Sequence, residues 1–196
     1  MFKIETFGCS SNRADSQVIA ELLRSRGYVE GDGENVLTIV NTCVVTSYTE
    51  RKVLKRLLEL ERNGKDYVVA GCLPAARGEL LRGLSPVGII TPSNLEDIVD
   101  IMDRWAREHK IGRNSKIDST NSKEPKIINI ARGCVGQCTY CIVKRARGNI
   151  QSVHPATIVS EVRRGLERGV REFYLTSQDM SAYGVDIGLR LPDLLK

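Results

Sequence analysis

Long apolar runs are missing from this chain. No stretch approaches the ~20 residues of a membrane span, and Met1-Phe2-Lys3-Ile4-Glu5 enters a strand pattern directly, where a secretory leader would carry an apolar core. The expectation is a cytoplasmic protein with no membrane partner. Histidine is scarce: the two present, His109 and His154, leave little room for imidazole-based catalysis. No G-x-G-x-x-G and no lysine-bearing phosphate loop surrounds Gly31-Asp32-Gly33, which therefore reads as a turn. Internal repeats and low-complexity tracts are also lacking.

What is present is ordinary in bulk and unusual in its cysteines. The 196 residues allow one or two domains, and 27% charged with 41% apolar residues is typical of a globular chain. A net charge of +5 leans mildly towards a polyanionic partner. Six cysteines without a secretory leader argue against a disulfide framework, because spaced cysteines in a reducing compartment more often bind metal or react. They divide into Cys9, Cys43 and Cys72, widely spaced, and a compact triplet, Cys134, Cys138 and Cys141.

In the first 108 residues, strand, loop and helix alternate. Residues 2–7, Val36 to Val40, Tyr67 to Ala70 and Val87 to Ile90 read as strands. Helical stripes run through Val18, Ile19, Leu22 and Leu23, through Val53, Leu54, Leu57, Leu58 and Leu60, and from Leu95 to Ala106. GCSSNRADS supplies turn and cap chemistry between the first strand and its helix. Such alternation predicts a parallel sheet covered on both faces, with its ligand crevice beyond the carboxyl ends of the strands. Cys9, Cys43 and Cys72 each fall at or just past such an end. Singly, each would more often be a small buried residue than a ligand; three at one edge suggest a shared metal site, and a low-pKa redox thiol at a helix N-terminus is a further reading.

Residues 109–125 are polar, lack periodicity and read as a linker. Beyond them, Ile127 to Ala131 forms a strand that feeds the loop ARGCVGQCTYCIVKRARG, residues 131–148, followed by a helix opened by His154-Pro155 and a strand from Phe173 to Thr176. This β-α-β unit carries its cysteines on the loop after its first strand, where barrel enzymes place their chemistry. The C-x3-C-x2-C spacing, with no fourth cysteine or adjacent histidine, suits a cubane iron–sulfur cluster held at three irons, the fourth left open. Zinc is the competing reading. A structural zinc site prefers four donors, and the nearest candidate, His154, lies beyond Lys144, Arg145 and Arg147, whose charge repels the metal.

The loop resembles the radical S-adenosylmethionine (SAM) motif, including the aromatic Tyr140 before its last cysteine. The wider wording, ARGC, CTYC and ARG followed by TSQDMSAYG, is similar to the methylthiotransferases. KIETFGCSSNRADS, VNTCVVT and VAGCLP look like the three ligand segments of that family's N-terminal domain. The resemblance implies two 4Fe-4S clusters, one on Cys9, Cys43 and Cys72 and one on Cys134, Cys138 and Cys141, with SAM at the second. It implies Tyr140, Gln178 and Asp179 as cofactor-binding residues and no side-chain acid or base in the radical step. In the family mechanism the N-terminal cluster carries the sulfur, which one SAM methylates, and a second SAM generates the radical that abstracts hydrogen from the base carbon. CIVKRARG is similar to the archaeal and eukaryotic branch acting on threonylcarbamoyladenosine in transfer RNA, which implies tRNA and an electron-donor protein as partners.

Alternatives stay open. SQDMSAYG is similar to the ribosomal-protein aspartate methylthiotransferases too, and a non-catalytic iron–sulfur or RNA-binding piece belongs to another class altogether. The basic residues Lys144, Arg145 and Arg147 read either as a solvated face or as contacts to RNA phosphates or the SAM carboxylate. Thr176, Gln178 and Asp179, expected on the catalytic face, read equally as a cap and turn. The fold expected is α/β: a doubly wound parallel sheet over residues 1–108, a linker over 109–125, and the first β-α-β portion of a radical SAM partial TIM barrel over 126–196. A full barrel takes about 250 residues, and the family's six-unit partial barrel cannot fit between Ile127 and Lys196. A truncated chain is therefore expected, completed by self-association or by a missing C-terminal half.

Overall fold

The computed structural model describes residues 1–113 and 124–196, so most of the expected linker, residues 114–123, lies outside the described residues. The chain divides into two compact units, Met1–Asp118 and Ser119–Lys196.

The first unit is built on four parallel strands, β1 (Phe2–Thr6), β2 (Leu37–Thr42), β3 (Tyr67–Gly71) and β4 (Gly88–Ile90), hydrogen-bonded in that order. Register pairs Ile4 with Ile39, Ile39 with Val68 and Val68 with Gly88. Residues 29–31 add a short edge beyond β1: Phe2 donates to the Val29 carbonyl at 3.0 Å and accepts from Gly31 at 2.9 Å, a parallel bridge at Glu30. Helix α1 (Ser10–Ser25) thus carries the chain from β1 to one side, whereas α2 (Ser47–Arg62) carries it from β2 to the other, with α3 (Cys72–Arg77) and α4 (Ile98–Glu108) following β3 and β4.

Alternation along the strands sorts the faces. Ile39, Val68, Ala70 and Ile90 meet Ile19 and Leu23 of α1 and Ile98, Met102 and Trp105 of α4 in one apolar cluster. Val40 and Val69, one position out of phase, point to the opposite face, and so does Glu5, whose carboxylate pairs with Arg56 of α2 through two bonds of 2.8 Å. Helices therefore cover both faces and the winding reverses between β1 and β2, the arrangement that opens a crevice at the carboxyl ends of those two strands. His109, Ile111 and Arg113 fold back on this unit: Ile111 joins the cluster, and Arg113 reaches Asp103 at 2.9 Å.

In the second unit β5 (Lys126–Asn129) pairs in parallel with β8 (Phe173–Thr176). The single strand expected from Ile127 to Ala131 is split. At Ile130 the chain bends, and Ala131–Arg132 (β6) pairs antiparallel with Gln151–Ser152 (β7), the cysteine loop and α5 (Ile142–Arg147) lying between them. Helix α6 (Pro155–Glu167) joins β7 to β8, capped by His154, whose ring accepts the Ala156 N–H, with Pro155 at its first position. Gly165 lets α6 settle on β8, since a Cβ there would stand 2.6 Å from the Phe173 ring. Ile128, Ile130, Ala131, Ile158 and Tyr183 form the core, and a four-residue helix, α7 (Leu191–Leu194), packs against it.

Candidate functional site

The first triplet lies at the winding reversal. Cys9 caps α1, Cys43 follows β2 and Cys72 opens α3; Cys9 is exposed and the other two are buried. No disulfide joins any of the six cysteines. The turns converge closely. A Cβ added to Gly8 would meet Cys43 Cβ at 2.9 Å, and one added to Gly71 would meet the Thr42 carbonyl at 2.6 Å. Both glycines have positive φ, 146° and 92°, and so does Gly133 (73°) before Cys134, where a side chain would run into the Asn149 carbonyl. Gly-Cys at all three places was a readable signal, a backbone with no space for Cβ directly before a thiol.

Polar groups that sequence reading missed lace these turns. Asn12, Asn41 and Thr42 are fully buried at 0% exposure, with Ser11, Asp15 and Ser16 close behind. GCSSNRADS is therefore more than a cap: α1 begins within it and turns its polar side chains inward, onto the strand ends.

The second triplet is held within its own loop. Cys141 donates its N–H to the Cys138 carbonyl at 3.1 Å, and Gly136 donates to Cys134 Sγ at 3.2 Å. Gly136 lies between two sulfurs: its Cβ would be 3.3 Å from Cys134 Sγ and 3.8 Å from Cys138 Sγ. From the end of β8, Gln178 Oε1 accepts the Gly133 N–H at 2.9 Å, and Asp179 Oδ2 accepts the Cys134 thiol at 3.4 Å. The hydrogen bond from Ser181 is the main cause holding the Asp179 carboxyl below its usual range, with the Cys134 thiol and the Ala182 N–H adding to it. Tyr140 points its ring into solvent, 88% exposed.

The basic residues do not form one solvated face. Lys144 donates to the Cys134 carbonyl, Arg147 is 6% exposed, and only Arg145 is exposed. Lys144 thus clamps the loop.

Among the described residues no group of three or more Cys, His, Asp or Glu side chains is arranged to hold a metal ion. A cubane places its three cysteines on three different irons, so ligands spread over a loop or over three strand ends suit it. Both triplets offer thiols on turns flanked by glycine.

Comparison with known proteins gives each unit its relatives. Residues 1–91 match the model of an uncharacterized protein family, UPF0004, and residues 128–193 match the radical SAM superfamily. The second unit is thus radical SAM sequence, a class whose cofactors are SAM and an iron–sulfur cluster. The chain is 36% identical over 204 residues to a probable threonylcarbamoyladenosine tRNA methylthiotransferase of Archaeoglobus fulgidus, with 98% of this chain and 48% of that protein covered. It is 35% identical to the Drosophila melanogaster protein of that name and 33% identical to the human one, with 98% of this chain and 38% and 36% of those proteins covered. Both units thus carry sequence similar to these proteins, the first through UPF0004 and the second through the radical SAM superfamily. It spans about half the length of the archaeal relative and less of the animal ones. Among the described residues no helix is long and apolar enough to cross a membrane.

Proposed function

We propose that this chain serves the methylthiolation of N6-threonylcarbamoyladenosine beside the anticodon of transfer RNA, in the cytoplasm, with two 4Fe-4S clusters and SAM. Residues 1–108 are the methylthiotransferase N-terminal domain in this reading, 109–125 a linker and 126–196 the start of the radical SAM barrel. The observation that carries it is the pair of cysteine triplets, each at the carboxyl edge of parallel strands and each on glycine-lined backbone. The names of the relatives supply the substrate.

Cys134, Cys138 and Cys141 would hold the cluster that binds SAM, and Cys9, Cys43 and Cys72 the one that carries the sulfur to be transferred. When bound, these groups supply the electron, the radical and the sulfur, the electron coming from a separate donor protein. The chain's own part is to bind and orient. The Gly136 N–H donates to a ligand sulfur, the kind of bond that tunes cluster potential. Gln178, on the second strand's loop, fixes the Gly133-Cys134 turn through the Gly133 N–H, whereas the Asp179 bond belongs to the protonated thiol and is given up when Cys134 ligates. The exposed Tyr140 is left to face SAM.

Anaerobic reconstitution followed by a SAM-cleavage assay tests the proposal. Deoxyadenosine release together with methylthiolated nucleoside in a tRNA digest supports it. Two loaded clusters without turnover favour a cluster-bearing piece that acts only with a partner, and no cluster at all refutes it.

A further inference from the structure

The turns carrying Cys9, Cys43 and Cys72 are stitched together by side chains that ligate nothing. Asn12 sits in the first turn of α1 and spans two of them: its amide nitrogen donates to Asn41 Oδ1 at 3.1 Å and to the Thr42 carbonyl at 3.0 Å, while its Oδ1 accepts the Cys9 thiol at 3.4 Å. Asn41 answers from β2, donating to the Asn12 carbonyl and to Ser16 Oγ, both at 2.8 Å. One residue on, the Thr42 hydroxyl donates to the Ala70 carbonyl at 2.5 Å and accepts the N–H of Leu73 at 3.1 Å. Leu73 follows Cys72 directly, so this hydroxyl fixes the third turn to the second.

Burial makes this network demanding. Asn12, Asn41 and Thr42 are wholly shielded from water, and polar groups so placed stabilise a structure only when nearly all their bonding capacity is met. Apolar side chains of similar size would pack a sheet edge against a helix with less constraint. What the polar set adds is direction: the bonds from Asn12 to Asn41 and Thr42, and from Leu73 to Thr42, each run from one cysteine turn to its neighbour. The order along the edge is Cys9 turn, Asn12, Cys43 turn, Thr42, Cys72 turn.

We infer that Asn12 and Thr42 are positioning residues that hold Cys9, Cys43 and Cys72 in register as a cluster site before any metal arrives. This rests on the reading of those three thiols as cluster ligands. Thr42 sets the two buried cysteines against each other. Asn12 sets the exposed one, Cys9, against that pair, and marks the Cys9 side as the open side of the site.

The test uses the full chain with Cys134, Cys138 and Cys141 changed to Ala, so that only the first triplet can load. In that background Thr42→Val keeps the shape and removes the hydroxyl, Thr42→Ser restores the hydroxyl, and Asn12→Ala removes the other stitch. Iron and sulfide per chain, the electron paramagnetic resonance spectrum of the reduced cluster, the rate of iron release to a chelator, and the unfolding midpoint before reconstitution are read on each. The expected result is release about tenfold faster for Thr42→Val and Asn12→Ala, with an altered spectrum in the iron they retain, and recovery of rate and spectrum in Thr42→Ser. The inference is overturned if Thr42→Val and Asn12→Ala hold iron as the parent does. It is equally overturned if their loss of iron only tracks a lowered folded fraction while the spectrum stays that of the parent. Should the parent and Thr42→Ser themselves load nothing, the cluster reading of the first triplet fails, and the inference with it.

Discussion

Gly133 donates its backbone N–H to Oε1 of Gln178 at 2.9 Å, bridging 45 positions of sequence. The bond ties the residue before the first loop cysteine to the strand paired beside it, and the Cys134–Asp179 contact repeats the tie one residue further along. Gln178→Ala should leave the fold intact, since one such bond is worth about 1 kcal/mol net. Amide exchange across residues 133–141 should quicken, and iron on that loop should be lost sooner to a chelator. Unchanged exchange there would show that Gln178 does not hold the loop.

Reconstituted anaerobically, the chain should carry about eight irons, two cubanes of four. Changing Cys134, Cys138 and Cys141 together to Ala should remove about half, and so should changing Cys9, Cys43 and Cys72, because no ligand is shared between the sets. Iron analysis of the two triple variants decides the matter. A triple variant with undiminished iron would remove its cysteines from the site.

Gly71 tests the cradle without touching a ligand. Its φ is +92°, and a Cβ would press on Asn41 Oδ1 and on the Thr42 backbone. Gly71→Ala should destabilise the chain by about 3 kcal/mol or more, strain and overpacking acting together. Gly64 also has positive φ, 58°, but nothing stands within 4 Å of its Cβ site. Gly64→Ala should cost only about 1–2 kcal/mol. Urea midpoints of the two variants, compared at constant m-value, check the difference; equal shifts would mean that the close approach at Gly71 relaxes at little cost.

The strands of residues 1–108 were legible because apolar residues cluster there, and the structure keeps them within two residues of where that pattern puts them, whereas α1 and α2 begin at Ser10 and Ser47, well before their apolar stripes. Ile39 and Val40 announce a strand buried on both sides, and Val53, Leu57 and Leu60 a helix with one inward face. What the pattern hid was tertiary. Asn12 lies in a run of Ser, Asn and Asp that looks like cap chemistry, and its partner Asn41 is 29 positions away. Glu30, beside Gly31-Asp32-Gly33, gave no strand signal because a single bridge needs no alternation. Ile127 to Ala131 reads as one strand, yet the bend at Ile130 is imposed by β7, which has two residues and no pattern of its own. Lys144 and Arg147 read either as a solvated face or as contacts to RNA phosphates or the SAM carboxylate, because composition says nothing of which carbonyl a lysine can reach.

The two units should differ sharply in local stability, and the difference follows from what each sheet can bury. β2 and β3 lie inside a four-stranded sheet covered by helices on both faces, with every residue of both strands buried. β5 and β8 make a two-stranded sheet, and of their eight residues only Ile128 and Thr176 are buried. Tyr174, Val159 and Leu166, on β8 and α6, are 51%, 42% and 47% exposed. An isolated strand pair is marginal in water unless a third strand or a well-covered face supports it, and amides in such a pair open by local fluctuation well before the whole molecule unfolds. Hydrogen exchange on the intact chain should therefore find the slowest amides in residues 37–42 and 67–71, with exchange in 126–129 and 173–176 faster by at least about tenfold, a gap of about 1.4 kcal/mol in opening free energy. Equal protection in the two sheets would show that the second unit is supported by burial that its own strands and helices do not provide.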